Sequence, residues 1–276
     1  MKFLVLADIH DTWVHLNKMI RLAKETDGVL FLGDLMTFRK FTQGSIDNIT
    51  RIKEASNWMV GIPGNGPLPK VREFLDDLGI NIHSKGRSID DIGFFGVGGI
   101  QNTKETVSDI REFYRTEDTS TITPDTRTMD TLKAFGISLM NGRFEVKEWS
   151  ESDFSVLDVY TSPFEHSEER MYELASTAYS QIKDSLTQIL LSHVPPYESG
   201  IIPAFPIGVS TGSKGIRKFL EETPLALSVS GHYHKHHEFK IGTTDCVVMP
   251  AVINDYYGVL STEASTKKPS IEIRKF

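Results

Sequence analysis

The sequence predicts a fold of the α/β class, because short apolar runs typical of strands alternate with amphipathic segments typical of helices. Residues 3–7 are apolar throughout, as expected of a strand that is covered on both faces. Several later runs end directly in Asp, Asn or His, which suggests a functional edge of a sheet. The chain has 276 residues, of which 39% are hydrophobic, so it can bury a large core.

The first half of the chain supplies strands and helices in alternation. Residues 14–23 have a helical pattern, for which Asp11 and Thr12 offer capping oxygens before the helix and Gly28 marks the stop after it. Further strands are predicted at 29–32, 58–62, 80–82 and 88–97, and further helices at 46–55 and 69–78.

The last third of the chain repeats this alternation and then changes to short strands. Helices are predicted at 168–184 and 213–222, and strands at 189–191 and 225–229. Four short apolar runs follow, at 239–241, 247–249, 258–260 and 271–273, with the spacing of antiparallel strands.

Residues 101–170 have a different composition from the rest. Strand-like apolar runs are missing there, and residues 104–170 contain 8 basic and 15 acidic side chains, a balance of −7 that equals the net charge of the whole chain. The segment is too apolar around Phe135 and Leu139 to be disordered. We expect one domain over residues 1–276, with this acidic insert serving as a lid or an interface, and with homo-oligomerisation through it as one option.

Composition also limits the partners of the protein. An acidic chain with a pI near 5.7 is a poor clamp for long nucleic acid, although metal ions can hold a small phosphorylated substrate. A single cysteine, Cys246, suits a reducing compartment. No apolar run approaches the roughly 18 residues of a membrane span, and the apolar start is too short for a signal peptide. We expect a cytoplasmic protein without a membrane partner.

Five predicted strands run directly into side chains that can bind a metal. These side chains are Asp8, His10, Asp34, Asn65, His193, His232 and His234. Each alone has an ordinary explanation as a helix cap, a turn residue or a surface group. Because strands of an open α/β sheet present their carboxyl ends at one edge, five such coincidences favour a common site.

Seven ligands are too many for one ion of coordination number four to six. They suit two ions about 3.5–4 Å apart that share a carboxylate. Mixed His, Asp and Asn donors favour Mn, Fe, Zn, Ni or Co over calcium or magnesium, with Mn the first choice in vitro. Such a pair can activate a water and neutralise the oxygens of a phosphoryl group.

The ordered motifs resemble those of the calcineurin-like metallophosphoesterases, especially their prokaryotic and archaeal members. The motifs are Asp8-Ile9-His10, Gly33-Asp34, Gly64-Asn65, His193 and Gly231-His232-Tyr233-His234. The resemblance implies a four-layer αββα sandwich of two mixed β-sheets flanked by helices. It also implies a division of the ligands: Asp8, His10 and His234 on one ion, Asn65, His193 and His232 on the other, and Asp34 between them. Asn65 would in addition contact the substrate.

One position departs from the family pattern, which usually continues Gly-Asn with His and an acid. Here Gly66 and Pro67 follow Asn65, so the usual catalytic histidine is missing and the catalytic acid is unknown. His236, Tyr197 and His166 are weak substitutes. A positioned acid contributes about 10²- to 10⁴-fold, so its loss predicts a slow enzyme that prefers good leaving groups.

Two hypotheses of different classes follow. The first is a dimetal phosphoesterase that hydrolyses a phosphodiester or a small phosphomonoester by attack of a metal-bridging hydroxide. The alternative is a catalytically weakened metal-binding scaffold or interaction protein. Seven converging polar groups favour the enzyme. A nuclease for long DNA is disfavoured by the acidic insert.

Overall fold

The structure is a computed structural model that describes residues 1–36, 42–66, 69–120, 122–124, 126–141, 143–150, 153, 165–199, 212–262 and 268–276. Pro67, which follows the unusual Gly66, lies outside the described residues, as does part of the acidic insert. No helix in these ranges combines the length and the apolar character needed to cross a bilayer.

The described strands and helices alternate along most of the chain. The strands are Lys2–Leu6 (β1), Gly28–Phe31 (β2), Met59–Gly61 (β3), Gly86–Ile89 (β4), Ile92–Val97 (β5), Ile100–Gln101 (β6), Ile137–Met140 (β7), Arg143–Val146 (β8), Glu165–His166 (β9), Thr187–Ser192 (β10), Leu227–Ser230 (β11), His237–Ile241 (β12), Thr244–Val248 (β13), Tyr256–Ser261 (β14) and Ser270–Lys275 (β15). The helices are Leu16–Glu25 (α1), Gln43–Ala55 (α2), Pro69–Asp77 (α3), Thr103–Thr116 (α4), Thr126–Ala134 (α5), Glu168–Tyr179 (α6) and Lys214–Glu222 (α7).

Two mixed sheets form the centre of the molecule. The first has the order β15-β14-β1-β2-β3, in which β1, β2 and β3 are parallel and the other pairings are antiparallel. The second has the order β12-β13-β11-β10-β5-β4, with a parallel centre from β13 to β5 and an antiparallel strand at each edge. Both sheets therefore have parallel strands whose carboxyl ends can share one rim.

The side chains of β1 show how the layers are built. Leu4 and Leu6 pack into a cluster with residues of α1, α2 and α3, whereas Phe3 and Val5 pack between the two sheets. A third cluster joins the outer face of the second sheet to α6 and α7. Successive side chains of a strand point to opposite faces, so a strand buried on both sides reads as a continuous apolar run. The predicted αββα sandwich is confirmed.

The acidic insert has a small apolar cluster of its own. Ile110, Tyr114, Leu132 and Ile137 are buried together there. Arg111 is also buried, donates from both terminal nitrogens to the carbonyls of Phe135 and Lys147, and lies over the Trp149 ring. The insert leaves the body after β6 and returns through β9, which pairs with β6 in parallel.

Three local predictions were wrong. The insert contains an antiparallel hairpin of β7 and β8, which no apolar run marks in the sequence because polar residues interrupt its mostly exposed strands. Residues 80–82 form only an isolated bridge from Asn81 to Gly61 rather than a strand. Helix α1 begins at Leu16 without a side-chain cap, and Val14 is 78% exposed, because Asp11 instead accepts hydrogen bonds from Ser45 and Thr42 at the start of α2.

Candidate metal centre

The loops that carry the seven predicted ligands are tied together by backbone hydrogen bonds. The amide of Asp8 donates to the carbonyl of Gly33 (3.2 Å), and the amide of His10 donates to Asp34 (3.0 Å). In the second sheet the amide of Gly231 donates to the carbonyl of His193 (3.1 Å). The ends of β1, β2, β10 and β11 therefore meet at one rim, as the sequence predicts.

The first group of metal-competent side chains contains Asp8, His10 and His234. One ligand atom from each lies within 4.8 Å of the others. The Nε2 atoms of His10 and His234 face each other at 3.1 Å, and Nε2 of His234 is 3.6 Å from the Asp8 carboxylate. Asp8 is fully buried and also accepts from the backbone amide of His232 (3.0 and 3.1 Å), whereas the His234 side chain is 33% exposed. This group can be reached from solvent through its histidines.

The second group contains Asp34, His193 and His232, again with ligand atoms within 4.8 Å of one another. Nδ1 of His193 donates to the carbonyl of Leu32 (2.8 Å), which fixes the ring so that Nε2 points into the site. The side-chain oxygen of Asn65 lies 2.8 Å from this Nε2 and 3.2 Å from Nδ1 of His232. Asn65 thus completes a second set of converging donors.

Asp34, a member of the second group, also faces the first. Its Oδ2 atom is 3.7 Å from Nε2 of His10 in the first group and 3.5 Å from Nε2 of His193 in the second. The other oxygen, Oδ1, accepts from the backbone amide of Gly66 (3.1 Å). One carboxylate therefore faces both clusters, which is the arrangement that a shared ligand requires.

The buried charges of the site favour a positive group beside Asp34. Burial raises the pKa of the Asp34 carboxyl, but the positive charge and hydrogen bond of His193 outweigh burial and hold it well below its usual range. Burial lowers the pKa of His193, yet Asp34 raises it to about 9. Burial, together with the charge of His193, lowers the pKa of His232 to about 4. A positive charge on His193 beside Asp34 is therefore favoured, whereas a second protonation, on His232, is disfavoured.

A pair of divalent ions fits the donors that are present. In neutral His193 the lone pair of Nε2 would face two oxygen atoms, from Asn65 and Asp34, without any positive group between them. The Nε2 atoms of His10 and His234 also face each other, and a positive ion between them would satisfy both lone pairs. Imidazole, carboxylate and amide oxygen together form a ligand set suited to first-row transition metals.

Five of the seven predicted ligands have a left-handed backbone. The φ angles are 52° for Asp8, 47° for His10, 49° for Asp34, 72° for His232 and 56° for His234. This conformation costs roughly 1–2 kcal/mol for a residue with a Cβ atom. Such strain persists only where the surrounding structure fixes it, and it is concentrated at functional sites.

Three glycines beside the ligands leave no room for a side chain. A Cβ atom on Gly64 would lie 2.0 Å from Oδ1 of Asp34, and one on Gly231 would lie 2.7 Å from Oδ2 of Asp8. Gly33 has a φ of +97°, and its Cβ would lie 2.6 Å from Nδ1 of His193. In the sequence these glycines stand out only as parts of the motifs. A Gly directly before a predicted ligand at a strand end is nevertheless itself a signal that another group approaches the backbone closely.

The weak candidates for the missing acid do not join these groups. His236 is exposed and pairs with Glu238 (3.0 Å), and the Tyr197 ring lies under the ammonium of Lys214. His166 lies on β9 with its ring stacked on His83 at 5.4 Å. None of the three contacts a predicted metal ligand within the part of the chain that the structure describes.

His83 is a buried histidine that sequence reasoning missed. Its Nδ1 accepts from the amide of Gly98 (2.9 Å), and burial is the main cause that lowers its pKa to about 3. The folded protein keeps His83 neutral, whereas the unfolded chain takes up a proton below about pH 6.5. The contribution of neutral His83 to the free energy of unfolding is therefore complete above pH 6.5. It is lost as the pH falls toward 3, by up to about 1.4 kcal/mol per pH unit.

We expect His83→Asn to weaken this acid sensitivity, because the Asn oxygen can still accept from Gly98 but does not titrate. The measurement is the free energy of unfolding by urea at pH 7 and pH 4.5, for wild type, His83→Asn and the exposed control His236→Asn. An equal loss of stability on acidification in all three proteins would contradict the assignment.

Comparisons with known proteins agree with the fold and identify the family. The family model for calcineurin-like phosphoesterases matches residues 1–236. An uncharacterized protein of Methanocaldococcus jannaschii is 25% identical over 258 residues, covering 91% of this chain and 89% of its own.

Two solved structures illustrate the similarity in fold. The structure of TT1561 of Thermus thermophilus has a TM-score of 0.62 at 14% identity and covers 99% of this chain and 98% of its own. The phosphopantetheinyl hydrolase of Mycobacterium tuberculosis has a TM-score of 0.51 at 11% identity and covers 91% of this chain and 89% of its own. The family model spans strands β1 to β11 and every predicted metal ligand, and the chain belongs to the calcineurin-like phosphoesterase family.

Proposed function

We propose that the protein is a metal-dependent phosphohydrolase that cleaves a phosphodiester or a small phosphomonoester. The observation that supports this most strongly is the position of Asp34, which belongs to the second group of metal-competent side chains and also faces His10 of the first. Family membership points to the same reaction class. We place the enzyme in the cytoplasm, since its single cysteine, Cys246, is free and buried.

In this proposal Asp8, His10 and His234 hold one divalent ion. Asn65, His193 and His232 hold the other, and Asp34 contacts both. The mixed donors suit Mn, Fe, Zn, Ni or Co, and Mn²⁺ is the ion of choice for assays. Two such ions supply positive charge for the phosphoryl oxygens and lower the pKa of a water at the site.

The protein itself supplies orientation. The Leu32 carbonyl holds the ring of His193, and the backbone amides of Gly66 and His232 hold the carboxylates of Asp34 and Asp8. The Asn65 amide oxygen points toward His193 and His232. Its amide nitrogen is therefore directed away from these rings, where it can donate to an oxygen of the substrate.

The direct test is hydrolysis of bis-p-nitrophenyl phosphate and p-nitrophenyl phosphate after metal removal and after addition of Mn²⁺. We expect turnover only with the metal, and close to two transition ions bound per chain. Metal binding without turnover of either ester would favour the second candidate, a metal-binding scaffold. That candidate is motivated by Gly66, which cannot donate a proton.

We expect Gly66→His to raise the hydrolysis of esters with poor leaving groups. Among the described residues, a Cβ atom at this position would meet only Oδ1 of Asp34, at an ordinary 3.8 Å, which leaves room for a side chain on this side of the loop. A positioned imidazole can contribute about 10²- to 10⁴-fold. We therefore expect kcat for phenyl phosphate to increase at least about tenfold, and kcat for p-nitrophenyl phosphate to change little.

Gly66→Ala is the matched control, since it fills the same space without an acid. Equal gains for Gly66→His and Gly66→Ala would show that loop rigidity, and not proton donation, limits the reaction.

A further inference from the structure

Two polar side chains at the root of the insert have buried, unpaired atoms. Gln101 and His166 are cross-strand partners in the short parallel pair of β6 and β9. Oε1 of Gln101, a residue only 5% exposed, and Nε2 of His166 are both buried without a hydrogen-bond partner among the described residues. A buried polar atom left unpaired is destabilising, so two neighbouring ones indicate a place where a ligand can bind.

This place adjoins the candidate metal centre. The amide of Gly99, two residues before Gln101, donates to the carbonyl of Pro63 (3.1 Å), and Pro63 lies two residues before Asn65. The next amide back, that of Gly98, donates to His83, whose ring stacks on His166. The backbone that carries Gln101 therefore lies directly against the loop that carries Asn65.

Two arginines contribute positive charge near His166. Burial lowers the pKa of His166, and the charges of Arg170 and Arg72 lower it further. Arg72 lies on α3, which follows the Gly66 turn, and Arg170 lies in the first turn of α6, directly after β9. The Arg170 side chain is exposed and pairs with Glu173, an interaction of small energy that a ligand can replace. The negative charge of Asp76 raises the pKa of His83, but this carboxylate already forms an ion pair with Lys85.

We propose that Gln101, His166, Arg72 and Arg170 form a subsite for the leaving-group part of the substrate. Its ligand carries a hydroxyl group, which donates to Oε1 of Gln101, and a second anionic group, a phosphate or a carboxylate, which accepts from His166 and the two guanidinium groups. The inference rests on the proposed phosphohydrolase function and narrows its substrate to small polyol or sugar esters with two anionic groups.

The test compares two inhibitors that differ only in the second anion, fructose 1,6-bisphosphate and fructose 6-phosphate. Each competes with bis-p-nitrophenyl phosphate in the Mn²⁺-loaded enzyme. We expect the bisphosphate to have a Ki at least about tenfold lower, as one charge-assisted contact can provide. The ratio of the two Ki values should fall to within about twofold of one in two variants. These are the double variant Arg72→Ala, Arg170→Ala and the single variant His166→Gln.

Arg51→Ala, which removes an exposed arginine of α2, is the matched control and should keep the wild-type ratio. Equal Ki values for the two sugars in the wild type, or an unchanged ratio in both variants, would overturn the subsite.

A calorimetric titration of the same two sugars separates this inference from the proposed function. If the ester is not hydrolysed at all but the affinity ratio is present in the wild type and lost in the variants, the subsite stands and the enzymatic assignment fails. If turnover is normal and the ratio is absent, only the subsite fails.

Discussion

Asp34→Asn is expected to lose nearly all metal-dependent turnover. The substitution keeps the size of the side chain and can still accept from the amide of Gly66, but it removes the charge that faces both His10 and His193. Loss of an outer-shell partner of a metal ligand already costs about 10- to 100-fold. We expect kcat/KM for bis-p-nitrophenyl phosphate with Mn²⁺ to fall by more than about 100-fold.

The same preparation should bind fewer than two ions per chain, as measured by elemental analysis after gel filtration. Asp245→Asn is the matched control, because Asp245 forms ion pairs with Lys240 and Lys268 far along the second sheet and should leave turnover and metal content as they are. Wild-type turnover by Asp34→Asn would show that the proposed shared ligand has no role in the reaction.

Gly64→Ala is expected to be nearly as damaging, although it adds only one methyl group. The new Cβ would lie 2.0 Å from Oδ1 and 2.3 Å from the backbone nitrogen of Asp34, so the carboxylate and the loop must both move. A displacement of about 1 Å in a catalytic site can cost about 100-fold in rate. We expect a loss of this size in kcat, with weaker binding of Mn²⁺.

Two alanine substitutions separate crowding from a general effect of glycine. Gly44→Ala places a methyl group in open space on α2 and should stabilise the protein slightly, since Ala favours a helix over Gly by up to about 1 kcal/mol. Gly66→Ala has room for its methyl group two residues beyond Gly64. If Gly64→Ala binds two ions and turns over like these controls, the close approach to Asp34 is not a constraint.

The layered fold was accessible to sequence reasoning because its strands are buried on both faces. Residues such as Phe3 and Leu4 pack on opposite sides of β1, so the run is apolar throughout and easily recognised. The hairpin of the insert gave no such signal, because Leu139 and Met140 in it are 41% and 51% exposed and polar residues such as Ser138 and Glu145 interrupt its apolar ones. Val14 misled the helix prediction, since an apolar residue at helical spacing need not be buried.

The candidate site was predicted to the extent that its side chains lie at strand ends. His232 and His234 follow a buried strand, and parallel strands bring such ends together without any information on distant contacts. Gln101 and His83 could not be found in this way. They lie outside any motif, and their meaning depends on the pairing of β6 with β9 and on the contact of Gly99 with Pro63, which only the folded chain shows.

The left-handed backbone of the five predicted ligand residues bears on how metals would enter and leave the proposed site. The two sheets hold these loops in their binding shape, so an arriving ion does not have to order the chain around itself. This differs from small zinc domains, which are unfolded without their metal. We expect the fold to survive metal removal. We also expect different ions to exchange at the same preformed site. The ion bound in the cell would then depend on metal supply more than on selection by the protein.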